Sequence, residues 1–404
     1  MRRLRASSIA SILALALVLP RPAGAHPRRQ ASPRVARAVV RPALPARAYA
    51  PRAVRLESPV VVVPLSTPGN RPIVTVSING RGPFLLGIET GSPAALLLFT
   101  HTLRALGLPA EPNMKRPQFI DSVRIGGLLM IEIPAYVPGD SPIPTQLDGL
   151  LGLAAYANLT MELDVPGGRA LFTADTLPAS NGEDVLSLLG VGDIFAVPLR
   201  AGDRTFRLAL DSQGGLGLAV RSSLAEELPL ASPFVQVGVL TGPAIGTVPR
   251  RAARVSCKVM LGRYEFVRPL LAADIIPEQM PADGIIGMHA LSAFSVALDQ
   301  RTRRIRFTRA QPIIAAPGPL HGHGVVIGYG VDRLEVASIL PNSPAAEAFL
   351  KTGDTIVEVN GRRTIGFAPS DWEPLSESPA PLLLLIQRDG RSFTVSLPAQ
   401  LLIR

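Results

Sequence analysis

The chain has 404 residues, of which 47% are hydrophobic, so it is long enough for two or three domains with buried cores. Its formal net charge of +10 is concentrated at the N-terminus, because residues 1–55 hold twelve arginines and no acid and the remainder is close to neutral. This distribution argues against a nucleic-acid-binding surface on the folded part, and the single cysteine, Cys257, excludes an internal disulfide.

The N-terminus predicts export. Three arginines within the first five residues precede an apolar run over 9–19 and an Ala-Gly-Ala sequence ending at Ala25, an order typical of a cleaved secretory signal. The run is too short to span a bilayer comfortably. We therefore expect a signal peptide over 1–25, a disordered basic tether over 26–57, and a mature, non-transmembrane protein in the periplasm or outside the cell. The tether is expected to be a spacer rather than a contact with anionic lipid or cell wall.

Two segments repeat one pattern, a buried strand that ends in an acid. Residues 84–92 read FLLGIETGS, and residues 206–214, which lie 122 positions later, read FRLALDSQG. Each segment follows a glycine-containing turn, as expected for the second arm of a β-hairpin. Carboxylates at matching places in two copies of one unit, Glu89 and Asp211, predict an acid pair.

A second pair of matching segments follows downstream. Residues 148–152 read DGLLG and residues 283–287 read DGIIG, and a similar tail of two strands follows each at the same spacing. We expect structural roles for Asp148 and Asp283, because short polar side chains at strand ends commonly hydrogen-bond to local backbone. Together the repeats indicate a duplicated, mainly β unit.

These motifs resemble the bacterial retropepsin-like aspartic proteases, whose lobes each carry a hydrophobic-hydrophobic-Asp-Thr-Gly loop and, later, a hydrophobic-hydrophobic-Gly segment beneath it. The resemblance implies a pepsin-like arrangement of two β lobes, with lobe 1 over 58–175, an inter-lobe linker over 176–194 and lobe 2 over 195–309. It also implies that the two carboxylates share one proton and hold a water between them, without a metal or other cofactor. The expected substrate is a polypeptide.

The two acid loops depart from the family pattern. Glu89 and Asp211 are the expected catalytic acids, but Glu89 stands where the family has aspartate, and a displacement of about 1 Å in a catalytic group lowers a rate on the order of a hundredfold. Gln213 replaces a glycine, and its side chain is expected to obstruct close backbone approach. The residues expected to brace the loops are Thr90, Gly91 and Ser212.

The interval between the acid and the next matching glycine is 14 residues longer in the second copy. In the family this interval carries the flap, a hairpin that closes over substrate. The second copy has a glycine-rich candidate over 237–247, whereas the first has only the segment 109–117, and one flap is sufficient in two-lobed proteases. The residues predicted to form the flap and contact substrate are Gly238, Thr241, Gly242 and Gly246.

A third unit follows a proline-rich connector over 310–319, which we expect to continue neither sheet nor helix. From there the chain has apolar strands, a Ser-Pro helix start at Ser343 and an Asn-Gly hairpin turn at Asn360. This succession resembles the PDZ domains attached to exported bacterial proteases and covers 320–404. The expected architecture is therefore two duplicated β lobes followed by a PDZ domain.

PDZ domains usually bind an extended peptide as an added strand, and a loop holds the terminal carboxylate of the peptide. The matching residues are His323, Gly324, Val325 and Val326. The helix that should form the other wall, over 370–377, is short and contains Pro374, so a peptide receptor and a purely structural PDZ domain both stay open. His321 and His323 have no other Cys or His nearby, which favours a loop over a metal site.

Two functions fit these observations. The first is an exported aspartic-type endopeptidase in which Glu89 and Asp211 activate water and the PDZ domain docks substrate or a partner. The second is a catalytically inactive pseudo-protease that binds extended peptides in the cell envelope, because a β-lined cleft can hold a peptide whether or not its acids are placed for chemistry. The persistence of both acids in otherwise altered loops favours the enzyme.

Overall fold

The computed structural model describes residues 50–111, 117–138, 147–215, 217–242, 246–277, 279–329 and 333–404. The predicted signal peptide and most of the predicted tether lie outside these residues. The described part of the chain is mainly β, as the sequence predicts. None of the described helices is long and apolar enough to cross a membrane.

The first ten strands are β1 (Ala53–Leu56), β2 (Val60–Pro64), β3 (Ile73–Ile78), β4 (Arg81–Ile88), β5 (Leu96–Leu98), β6 (Gln118–Ile125), β7 (Leu128–Tyr136), β8 (Gly149–Leu151), β9 (Thr160–Asp164) and β10 (Arg169–Thr173). The next are β11 (Val185–Ser187), β12 (Leu189–Val191), β13 (Ile194–Ala201), β14 (Arg204–Asp211), β15 (Leu218–Val220), β16 (Val235–Gly242), β17 (Gly246–Arg254) and β18 (Val259–Leu261). These are followed by β19 (Tyr264–Phe266), β20 (Leu270–Ala273), β21 (Gly284–Gly287), β22 (Ser295–Asp299), β23 (Arg304–Thr308) and β24 (Ile313–Ile314). The last are β25 (Leu320–Gly322), β26 (Val325–Tyr329), β27 (Leu334–Ile339), β28 (Thr355–Val359), β29 (Arg362–Arg363), β30 (Leu382–Arg388), β31 (Arg391–Leu397) and β32 (Gln400–Ile403).

The described helices are short. The α-helices are α1 (Thr100–Leu106), α2 (Ser222–Ala225), α3 (Met288–Leu291), α4 (Pro344–Glu347) and α5 (Pro369–Ser376). The 3-10 helices are η1 (Pro68–Asn70) and η2 (Leu153–Tyr156).

Two sheets repeat one set of strand pairings. The first sheet has the order β1-β7-β5-β8-β4-β3-β6 and closes like a barrel because β6 also pairs with β7. The second sheet has the order β16-β17-β20-β15-β21-β14-β13-β18-β19-β24, with β12 beside β13. The acid-bearing strands β4 and β14 each lie between their hairpin partner and a parallel strand, with Leu86 opposite Gly149 and Leu208 opposite Gly284. The sequence repeat is thus a repeat of sheet pairing.

A six-stranded sheet, called the shared sheet below, takes strands from both copies of the repeat. Its order is β11-β23-β22-β9-β10-β2, and its centre is the antiparallel pair of β9 and β22, in which Leu163 lies opposite Val296. Residues of the three sheets belong to one continuous buried hydrophobic cluster, in which Phe172, Phe294 and Phe307 are fully buried. Burial of such large apolar surfaces is the main favourable contribution to folding.

Two short strands correct the sequence prediction. Part of the predicted tether forms β1, which pairs with β7, because Val54 and Leu56 pack against the main hydrophobic cluster. The proline-rich connector was expected to join no sheet, yet Ile313 and Ile314 form β24 parallel to β19. The prolines flank this strand, so its own amide and carbonyl groups stay available for the sheet.

The C-terminal part has its own sheet, with the order β26-β27-β28-β30-β31, and its own hydrophobic cluster. The Ser343 side chain caps α4 by accepting from the Ala346 amide, as the Ser-Pro pattern predicts. Asn360 and Gly361 have φ of 51° and 78°, as required for the predicted Asn-Gly turn. Among the described residues, β26 pairs with β27 alone and is an edge strand of this sheet.

Candidate active site

The two acid loops meet where β4 and β14 end. Thr90 N–H donates to Ser212 Oγ at 2.9 Å, and Ser212 N–H donates to Thr90 Oγ1 at 3.0 Å. Ser212 Oγ also donates to the Ile88 carbonyl at 2.6 Å. These buried bonds link residues 122 positions apart, the offset of the repeat, and therefore fix the acids that precede them relative to one another.

Each acid accepts hydrogen bonds within its own loop. Glu89 Oε1 accepts from the Gly91 amide at 2.5 Å, so Gly91 holds the acid rather than bridging the loops. Asp211 Oδ1 accepts from the Gln213 and Gly214 amides at 3.2 and 2.7 Å. Among the described residues Glu89 Oε2 has no hydrogen-bond partner. Asp211 is therefore the better stabilised as a carboxylate.

The surroundings of the acids favour a shared proton. Glu89 is 1% exposed and Asp211 5% exposed. Burial raises the pKa of Glu89 well above its ordinary value, and the neighbouring Asp211 raises it further. Burial also raises the pKa of Asp211, but the Gly214 and Gln213 amides and the Arg71 charge oppose this rise. We expect the pair to titrate as a unit, with the proton on Glu89, because Asp211 accepts from two amides and Glu89 from one.

Gln213 does not obstruct the approach of the loops, contrary to the expectation from its side chain. The side chain crosses to the first sheet, where its Nε2 donates to the Ile88 and Pro72 carbonyls, each at 3.0 Å. The space it occupies is open because residue 87 is glycine: a Cβ atom on Gly87 would be 2.8 Å from the Gln213 amide carbon. The substitution therefore adds contacts between the two sheets.

Asp148 and Asp283 have matching structural roles. Asp148 Oδ2 accepts from the Leu85 amide at 2.7 Å, and Asp283 Oδ2 accepts from the Arg207 amide at 2.8 Å. The sequence predicted bonds to local backbone, but these bonds reach 63 and 76 positions along the chain. They are long-range because the Asp-Gly segments lead into strands parallel to the acid-bearing strands.

The glycine-rich candidate for a flap forms an antiparallel hairpin of β16 and β17. Gly238 lies opposite Arg250, Thr241 opposite Thr247, and Gly242 opposite Gly246. Residues 243–245, between the two strands, lie outside the described residues. Residues 112–116 of the candidate in the first copy also lie outside them.

The predicted carboxylate-binding loop of the C-terminal part precedes β26. His323 is 2% exposed, and its Nδ1 and Nε2 lie 3.2 and 3.0 Å from the Ser376 and Ala380 carbonyl oxygens. Gly324 has a φ of 79°, and a Cβ atom there would be 2.0 Å from Ser343 Oγ, so glycine is required. Val325 and Val326, the remaining predicted residues, begin β26. The His323 ring thus fastens the end of α5 beside the loop.

Sequence reasoning missed two residues at the acid loops. The Tyr156 hydroxyl donates to the Glu89 carbonyl at 3.1 Å. Arg71 Nε donates to the Gln213 carbonyl at 3.1 Å, and Arg71 Nη2 donates to Glu373 Oε1 at 3.0 Å. The partners of Arg71 lie 142 and 302 positions away, so no local pattern in the sequence could have identified it.

Comparison with known proteins confirms one part of the sequence prediction. The family model of the PDZ domain matches residues 313–387. No curated protein sequence matches the chain. The C-terminal part of the chain therefore contains a PDZ domain, and we use that name for it below.

Three solved structures resemble parts of the chain. The PDZ domain of a carboxy-terminal protease from Vibrio cholerae, in complex with peptide, is 26% identical, with 20% of this chain and 96% of that chain covered and a TM-score of 0.19. The HtrA3 PDZ domain bound to a phage-derived ligand is 29% identical, with 17% of this chain and 64% of that chain covered and a TM-score of 0.16. A retropepsin-like aspartic protease from Rickettsia conorii is 16% identical, with 30% of this chain and 90% of that chain covered and a TM-score of 0.23.

Proposed function

We propose that the protein is an exported aspartic-type endopeptidase with Glu89 and Asp211 as its catalytic acids. The observation that carries the proposal is the pair of reciprocal bonds between Thr90 and Ser212, which holds together the two loops that carry the buried acids. The charge of Asp211 acts on Glu89, as expected for neighbouring acids. The sequence resemblance to retropepsin-like proteases points to the same chemistry. Export rests on the predicted signal peptide, and the two-lobe division over 58–175 and 195–309 rests on the repeat.

The asymmetry of the pair assigns the roles. In the proposed reaction Asp211, as the carboxylate, takes a proton from the attacking water while the water oxygen bonds to the peptide carbonyl carbon. Glu89, which holds the proton, gives it to the carbonyl oxygen. The resulting diol collapses as Asp211 returns its proton to the leaving nitrogen and Glu89 recovers one from a hydroxyl. Atoms and charge balance without a metal.

The extra methylene of Glu89 is accommodated in this proposal by the loop itself. Glu89 Oε1 accepts from the amide two residues on, and Asp211 Oδ1 accepts from the amides two and three residues on. Both carboxyl groups are thus turned back onto their own loops despite their different lengths. This similarity favours an adapted enzyme over a decayed one.

The PDZ domain is proposed to dock an extended polypeptide. PDZ domains bind peptides as an added strand at a sheet edge, and here β26 is the edge strand. The contact of His323 with Ser376 lays the end of α5 along the start of β26, as the two walls of such a groove require. The substrate or a partner would enter between β26 and α5.

The test is hydrolysis of a denatured protein by the purified mature chain between acidic and neutral pH, with cleavage products identified by mass spectrometry. Wild type should cleave, and Asp211→Asn and Glu89→Gln should each reduce turnover at least a thousandfold, because each removes a group that transfers protons. Equal turnover by wild type and Asp211→Asn would exclude the acid pair.

A second candidate function is peptide binding without cleavage. The burial of both acids favours it. Glu89 is 1% exposed and Asp211 5% exposed, whereas hydrolysis requires water to reach them. Under this alternative, wild type and the Glu89→Gln and Asp211→Asn double variant bind a peptide with equal affinity, and neither releases products.

A further inference from the structure

Arg71 connects the PDZ domain to the Asp211 loop. It directly follows η1, and its guanidinium donates to the Gln213 carbonyl on one side and to the Glu373 carboxylate of α5 on the other. The Arg71 side chain is 13% exposed and the Glu373 side chain 24% exposed. Because both are mostly shielded from water, salt screens their interaction only weakly.

The ion pair lies directly on the loop. A Cβ atom on Gly215 would be 3.6 Å from Arg71 Nη2 and 3.8 Å from either oxygen of Glu373. Burial raises the pKa of Asp211, and the Arg71 charge opposes this rise. The guanidinium that acts on Asp211 is thus the one that is paired with Glu373.

The ionisable groups that face this cluster come from several elements. Asp211 is faced by Glu89 and Arg71, and Arg71 is paired with Glu373. Burial raises the pKa of Tyr329, the last residue of β26; Glu373 and Asp371 raise it further and Arg71 lowers it. The Arg71 and Glu373 charges therefore reach the strand that would bind a peptide.

We propose that Arg71 is a positioning residue for the Asp211 loop and that Glu373 of the PDZ domain controls how much of the Arg71 charge acts on Asp211. While Glu373 is paired with Arg71, its negative charge offsets part of the Arg71 charge. A ligand that moves α5 away from Arg71 leaves the whole positive charge to Asp211 and favours its ionised form. Occupancy of the PDZ groove would thus tune the acid pair, and this inference rests on the proposed function.

The test compares the direction in which two substitutions in the full mature chain shift the pH dependence of kcat/KM. Glu373→Gln should move the acidic limb of kcat/KM against pH to lower pH, because Arg71 then acts on Asp211 without compensation. Arg71→Gln should move the same limb to higher pH, because the stabilising charge is lost. We expect shifts of about 0.5 to 1 pH unit. Glu377→Gln changes an exposed residue directly after the same helix; it is the matched control and should not move the limb.

A purely structural contact would give a different result, since breaking it from either side would lower kcat in both variants without opposite shifts. Shifts of equal sign, or none, would overturn the inference. Should Arg71→Gln fail to fold, Glu373→Gln decides alone: a limb at lower pH supports the inference, and an unmoved limb overturns it. Arg71→Lys keeps the charge and should retain the wild-type limb.

Thermal unfolding against pH separates this inference from the proposed function. The pH dependence of the unfolding temperature that is lost in Asp211→Asn reports the ionisation of Asp211, and this measurement does not require cleavage. If this pH dependence moves in opposite directions along the pH axis in Glu373→Gln and Arg71→Gln, but wild type does not cleave, the inference holds and the protease proposal fails. If wild type cleaves but the pH dependence does not move in opposite directions, the protease proposal holds and the inference fails. If neither is observed, both fail.

Discussion

The side chain of Gln213 fills the place that a side chain at Gly87 would need. A Cβ atom on Gly87 would approach the Gln213 amide atoms to between 2.8 and 2.9 Å, closer than side chains normally come. The two residues lie on different copies of the repeat, and Gln213 can take this position because residue 87 has no side chain. Gly87 thus explains why the second loop tolerates a residue that the family pattern lacks.

This complementarity predicts the outcome of a double-mutant cycle. Gly87→Ala should lower the free energy of unfolding by about 1–3 kcal/mol, because the added methyl group overlaps a fully buried side chain. Adding Gln213→Gly should restore part of that loss, since the space is then free. Urea denaturation of the four proteins measures the coupling. Additive effects would mean that the two side chains do not compete for space.

Ser212→Ala should destabilise the contact between the acid loops. It leaves the buried Thr90 amide without its acceptor and removes one of two donors to the Ile88 carbonyl, which keeps its bond from Gln213 Nε2. The unsatisfied buried amide costs about 1–3 kcal/mol, and turnover should fall because the acids lose their fixed separation. Ser222→Ala is a partly buried control outside the acid loops and should leave turnover unchanged. Full turnover by Ser212→Ala would contradict a bracing role.

Glu89→Gln should be more stable than wild type at neutral pH. The folded-state pKa of Glu89 is raised, so the folded protein binds this proton more tightly than the unfolded chain. That contribution is fully present below the unfolded pKa of about 4.3 and is lost as pH rises through the raised value. The variant avoids the loss, so the difference should grow from near zero at about pH 4 towards neutral pH. Thermal unfolding across this range measures it, and a constant difference would contradict the raised pKa.

Glu89→Asp should reduce cleavage, although it restores the family residue. The shorter side chain would withdraw the carboxyl group from the Gly91 amide by about 1 Å, which lowers a rate on the order of a hundredfold. The measurement is kcat/KM at the optimum pH, with thermal stability as the control for folding. Faster turnover by Glu89→Asp at unchanged stability would instead indicate a decayed site.

Arg254→Met should weaken the attachment of the PDZ domain. The buried Arg254 guanidinium donates to the carbonyls of Arg404, Arg268, Pro317 and Gly318. Loss of a charged donor to these groups should cost about 2–4 kcal/mol in urea denaturation. The control is Arg52→Met, which removes an exposed pair with Glu132 and should cost less than about 1 kcal/mol. Equal costs for the two variants would refute this role of Arg254.

Repetition made part of the site predictable. Glu89 and Asp211 could be paired from the sequence because the same strand and loop occur twice, and the PDZ domain could be recognised because its turns use residues with specific backbone requirements. Arg71 could not be found, because its partners are distant along the chain and only the packed structure joins them. The strands β1 and β24 were missed for a related reason: each is stabilised by a sheet edge elsewhere rather than by its own sequence.

The shared sheet has a consequence for how the protein becomes folded. Its central pair joins β9 of the first copy to β22 of the second, and β11, which follows the first copy, pairs with β23 near the end of the second. The first half of the chain therefore leaves the edge of β9 unpaired until more than a hundred further residues have been synthesised. Exposed strand edges of this kind invite pairing with other chains, and such non-local contacts form slowly. We expect the nascent protein to depend on protection from aggregation until β22 emerges, and a fragment that ends before it to be insoluble.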